Sequence, residues 1–87
     1  MSIAIHDVPQ ALKKIFSDVL RIGADDIQLS SSTKTTRNWD SLRHVELVVA
    51  IEEAFGVSFS AAEVFGLTSV QGFCEMLARK NVDLQAQ

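Results

Sequence analysis

One cysteine, one proline, four glycines, one tryptophan and no tyrosine occur in the 87 residues of this chain. Each scarcity excludes something. A lone Cys74 cannot form an internal disulfide and fits a reducing compartment. With only His6 and His44 beside it, there is no Cys/His metal spacing and no plausible triad of nucleophile, base and orienting group. The glycines at 23, 56, 66 and 72 are scattered, so no glycine-rich phosphate loop exists. An enzyme is therefore poorly supported, with neither catalytic nor metal-ligating residues. No apolar run approaches membrane-span length, and the N-terminus lacks the basic-then-apolar order of a signal peptide. These absences lead one to expect a cytoplasmic protein without membrane insertion.

What is present is ordinary globular material: 47% hydrophobic and 22% charged residues, enough for one domain over residues 1–87 with a single modest core. The net charge is −3, unevenly spread. Segment 38–66 carries Asp40, Glu46, Glu52, Glu53 and Glu63 against Arg43 alone. That distribution argues against nucleic acid, which needs a basic patch, and suits partners with basic surfaces.

Apolar residues fall at helical spacing almost throughout. Val8, Leu12, Ile15, Phe16, Val19 and Leu20 mark a first helix, with Asp7 and Gln10 as a capping box and Gly23 as its stop. Residues 24–38 form a long connection with no helical period, which Ile27, Leu29 and Trp39 are placed to pin down. A second helix runs from about Ser41 to Phe55 and ends at Gly56. Its apolar residues cover more than one stripe, so it should touch neighbours on more than one side, leaving Arg43, Glu46, Ala50 and Glu53 outward. Ser60-Ala61-Ala62-Glu63 is a capping box opening a short third helix that ends at Gly66. Ser69 starts a fourth, with Val70, Phe73, Cys74 and Leu77 inward. The expected fold is an all-α, four-helix bundle with its core at about 8–80, a long loop between helices 1 and 2 and loose ends at 1–6 and 81–87.

The chemistry gathers at Asn38-Trp39-Asp40-Ser41-Leu42-Arg43-His44-Val45, where the loop meets the second helix. A hydroxyl there faces free amide N–H groups and the positive end of the helix dipole, so a phosphate ester on it would be well placed. The plain alternative is that Asp40 or Ser41 is an ordinary N-cap, although no Glu or Gln stands three residues on to complete a capping box.

Asp40-Ser41-Leu42, followed by Val45-Glu46-Leu47-Val48-Val49-Ala50-Ile51-Glu52-Glu53-Ala54-Phe55-Gly56-Val57 and, later, Thr68-Ser69-Val70, resembles the acyl carrier protein family over residues 8–80. The resemblance implies that a phosphopantetheinyl transferase moves 4′-phosphopantetheine from coenzyme A onto Ser41. The terminal thiol of the arm then carries acyl groups as thioesters. Asp40 and Leu42 would flank the attachment site, Asp40 helping to orient the loop and hold the transferase's metal ion. Arg43, His44, Glu46, Val49, Glu52 and Glu53 would meet partner enzymes. His44 is either close enough to approach Ser41 or exposed and partner-facing, and Val49 either an exposed recognition residue or core. Loading ligases, synthases or transferases are the implied partners of a monomeric carrier.

Two departures shape the expectation. Carriers of fatty acid biosynthesis usually present an acidic residue where this chain has Arg43, and a small residue where it has Trp39. The chain therefore looks like a free-standing carrier for a dedicated pathway, such as polyketide, specialised lipid or secondary-metabolite synthesis. An aminoacyl cargo, loaded by an amino-acid:carrier-protein ligase, is the nearest alternative. A helical interaction module without a prosthetic group is the alternative of another class.

Overall fold

A computed structural model describes residues 8–82, which fold as α1 (Gln10–Leu20), α2 (Ser41–Phe55), α3 (Ala61–Gly66) and α4 (Val70–Arg79). This is the all-α arrangement expected, with a long α1–α2 connection and a short α3. Among the described residues there is no strand beyond an isolated bridge between Ser32 and Ser69. None of their helices is long and apolar enough to cross a membrane. The buried residues form a single cluster fed by every helix but α3, whose Val64 packs against it half-buried.

In α1 the buried positions are Leu12, Phe16 and Leu20, the i, i+4, i+8 row of one helix face. Pro9 occupies the N-cap with no side-chain hydrogen bond; the proposed box partner Asp7 lies outside the described residues. The helix also stops earlier than Gly23. Arg21 takes the left-handed conformation (φ 58°), a strained choice for a non-glycine residue. Tertiary bonds offset that strain: Asn38 Nδ2 donates to the Leu20 carbonyl (2.9 Å), and Ser17 Oγ donates to the Ile22 carbonyl (2.6 Å). Ile22 is thereby turned in against the core before Gly23 is reached.

The connection is ordered along most of its length. It contains a 3₁₀ turn at Ala24–Asp26, and its middle is laced to the start of α4. The first N–H groups of a helix have no partner within it. Here Val70 N–H donates to Ser31 O (2.9 Å), Gln71 N–H to Leu29 O (3.1 Å) and Gly72 N–H to the N-cap Ser69 Oγ (3.0 Å). Ile27 and Trp39 are buried, as their pinning role requires, and Leu29 packs half-buried.

The second helix has the expected bounds, capped by Asp40 and ended by Gly56 at φ 66°. Leu47, Val48 and Ile51 face the core, but Leu42, Val45 and Val49 are 64%, 56% and 45% exposed. The second apolar stripe therefore faces solvent where the sequence suggests a neighbouring element. The capping box of α3 forms in full between Ser60 and Glu63. Lys80 Nζ lies 3.0 Å from Glu63 Oε1 and 5.4 Å from the centre of the Phe59 ring, tying the end of α4 to the start of α3. The stripe Val70, Phe73, Cys74 and Leu77 on α4 is fully buried. Of the tail expected to be loose at 81–87, only Asn81 and Val82 are described and both are tied down, while 83–87 lie outside the described residues. Asn81 is left-handed (φ 67°), and Val82 N–H reaches back to Leu77 O (3.0 Å) while its side chain packs on the core.

Candidate functional site

Asp40 and Ser41 divide the work at the head of α2. Asp40 is the N-cap, its Oδ1 accepting the Arg43 N–H at 2.8 Å. Ser41 is the first helical residue, exposed, and its hydroxyl makes no hydrogen bond to the described residues. The plain-cap alternative thus falls to Asp40 and leaves Ser41 free. Asn38, left-handed at φ 70°, grips the end of α1 two residues before Asp40 and fixes where α2 begins. Sequence reading gave Asn38 no role, although asparagine is among the few residues that tolerate this conformation.

Beside Ser41 runs a groove of about 350 Å³ between α2 and α3. Val45, Val64 and Phe65 line it, the buried Trp39 and Leu67 form its floor with His44, and Thr33 and Thr68 supply polar groups. Phe65 is 82% exposed. Val45 and Phe65 were not singled out in the sequence as site residues. The available signal was the i, i+3, i+7 row Leu42, Val45, Val49, a stripe separate from the core row.

His44 neither reaches Ser41 as a base nor projects freely into solvent. Trp39 Nε1, which can only donate, lies 3.1 Å from His44 Nδ1, so Nδ1 accepts. The ring proton is therefore on Nε2, which donates to the Val64 carbonyl at 2.8 Å. The imidazole also stacks on the Trp39 ring at 6.2 Å between centres. A histidine expected to meet partners is thus occupied in joining the loop end to α3.

The charged residues separate in the same way. Glu52 Oε2 accepts the Phe59 N–H at 2.8 Å and secures the α2–α3 linker, so its charge is used inside the domain. Arg43 and Glu46 form an exposed ion pair (2.9 Å), worth little to stability. Glu53 is exposed with no partner among the described residues. Glu63 has its carboxyl held below the ordinary value, first by the Ser60 backbone N–H and then by Lys80. Burial, helped by the Glu75 charge, pushes the Cys74 thiol up to about 11, so this thiol stays protonated and packed.

A free hydroxyl at a helix N-terminus, backed by a cap that is not itself and flanked by an apolar groove, suits a covalently tethered arm. Known proteins agree. Residues 10–77 match the family described as phosphopantetheine attachment site. The chain is 34% identical over 77 residues to an acyl carrier protein of Buchnera aphidicola subsp. Schizaphis graminum (strain Sg), covering 88% of this chain and 98% of that protein. This is a phosphopantetheine-bearing carrier fold. The chain belongs to the acyl carrier protein family, whose members hold and present acyl groups and leave catalysis to other proteins.

Proposed function

We propose that Ser41 is the attachment point for 4′-phosphopantetheine and that the protein carries acyl intermediates as thioesters on that arm. The observation that carries this reading is the division of labour at the helix start: Asp40 satisfies the cap, so the Ser41 hydroxyl is exposed and uncommitted. In loading, the Ser41 oxygen bonds to the phosphorus of coenzyme A's pantetheine phosphate. The phosphoanhydride bond breaks, adenosine 3′,5′-bisphosphate leaves, and the serine proton passes to a base on the transferase. His44 is not placed to take that proton, since both its ring nitrogens are engaged. The N-terminal end of α2 then stabilises the phosphodiester charge.

Leu42, Val45, Val49 and Phe65 form the apolar part of the surface that phosphopantetheinyl transferase and the acyl-handling enzymes meet, with Arg43, Glu46 and Glu53 at its edge. Charge there steers encounter more than it adds affinity. The Arg43–Glu46 pair cancels charge where a more acidic surface would attract general fatty-acid enzymes. It supports service in a dedicated pathway; the carrier we propose is monomeric and cytoplasmic.

Intact-mass measurement after incubation with coenzyme A and a broad-specificity transferase tests the site. Wild type should gain one phosphopantetheinyl group and Ser41→Ala none. Because Asp40 holds the cap, the alanine variant should stay within about 0.5 kcal/mol of wild type in stability. An alanine variant that still accepts the arm would refute the assignment.

A further inference from the structure

The groove beside Ser41 meets the buried core at Leu67 and Trp39, and Trp39 stands between it and the aromatic cluster. The indole is only 5% exposed although it floors the groove. Directly behind it lie Phe16, edge-on at 5.3 Å, and Phe73 at 6.3 Å, both fully buried. Its position is locked by the bond from Nε1 to His44 Nδ1, and His44 is locked in turn by Val64. His44 also lies against Phe73, 5.8 Å between ring centres.

A chain moving from the groove towards the interior would have to displace the indole and strand its N–H without an acceptor in a close-packed aromatic cluster. An orphaned buried donor is costly, and such packing does not deform smoothly. The groove itself is open and apolar, so a tethered chain can lie in it without disturbing that cluster.

Resting on Ser41 as the tether point, we propose that Trp39, held by His44, is a stopper. It confines an acyl chain on the arm to the surface groove and suits the protein to short or polar cargo. Methylenes beyond the groove stay in water, and the thioester at the head of the chain stays open to attack. Trp39 thereby determines cargo without touching the transferred atoms.

The test loads the full-length protein from acetyl-, hexanoyl- and decanoyl-coenzyme A with a broad-specificity transferase, each adduct being confirmed by intact mass. Hydroxylamine cleavage of the thioester is then timed in wild type, Trp39→Phe and Trp39→Ala, with circular dichroism reporting folding. In wild type hexanoyl and decanoyl cleavage should agree within about twofold, because methylenes beyond those the groove holds stay in water. In Trp39→Phe, which retains an aromatic ring in the core, decanoyl cleavage should slow by roughly tenfold relative to hexanoyl, since each buried methylene is worth about a factor of four and the smaller ring admits about two of them. Trp39→Ala should show at least that protection if it remains folded. Wild type protecting decanoyl as well as the variants do would overturn the stopper, and so would a folded Trp39→Phe protein with no length dependence. Absence of any adduct on wild type would bring down the tether reading and the stopper with it; the mass spectrum separates that failure from the other two.

Discussion

Two apolar stripes run along α2, made of the same residue types, and they meet opposite fates. Leu47, Val48 and Ile51 are buried in the core cluster; Leu42, Val45 and Val49 lie towards the opposite side of the helix and face solvent beside Ser41. Hydrophobicity alone does not say which stripe builds the fold. Position relative to Asp40 does: the cap and Trp39 fix the rotation of the helix, and the stripe nearest the free serine is left without an internal partner. A small domain that leaves three aliphatic residues of one helix, and Phe65 opposite, exposed in one region has a surface ready for partners.

Substitutions can set the two stripes against each other. The largest effect should come from the inner one. Ile51→Ala leaves a void among fully buried neighbours and should cost about 2–5 kcal/mol in chemical denaturation, with loading unimpaired in whatever protein remains folded. The outer stripe should behave in reverse. Leu42→Ala and Val49→Ala together should lower kcat/KM of a transferase or acyl-loading enzyme by about tenfold, while stability moves by no more than about 0.5 kcal/mol per residue. A large loss of stability from the outer pair would erase the distinction.

A smaller effect separates the two residues at the helix mouth. Asp40→Ala removes the acceptor of the Arg43 N–H and should cost about 1 kcal/mol, within the usual range for a lost N-cap. Equal thermal melts for Asp40→Ala and wild type would return the capping role to Ser41. The smallest expected effect lies at α3, the far wall of the groove. The Glu63 carboxyl is held below its ordinary value, so its contribution is present above the ordinary carboxylate range. That contribution is lost as pH falls through the lowered value. Glu63→Gln should therefore show a shallower loss of thermal stability than wild type between about pH 7 and the acid range. A parallel loss in both proteins would remove Glu63 from the account.

Much of this was legible in the chain. The bounds of α2 follow from Asp40 and Gly56, the α3 capping box from Ser60 and Glu63, and the α4 core stripe from its spacing; all depend on local contacts that spacing encodes. What was not legible depends on residues far apart in sequence. The end of α1 at Leu20 needs Asn38, eighteen positions on, and the order in the long loop comes from carbonyls of Leu29 and Ser31 meeting the N–H groups of α4. His44 and Glu52 read as free polar residues because their partners, Val64 and Phe59, belong to the next elements along the chain. Ser41 stood out because the pattern around it is contiguous; Val45 and Phe65 did not, since only the packed fold shows which apolar residues are left over.

The proposed tether is the hydroxyl that the helix does not use. Peptide-resolved mass spectrometry of wild-type protein, after exposure to coenzyme A and a competent transferase, tests it most directly. A single phosphopantetheinyl group on the peptide carrying Ser41 is the predicted result; an unmodified serine, or the arm on another residue, would contradict it.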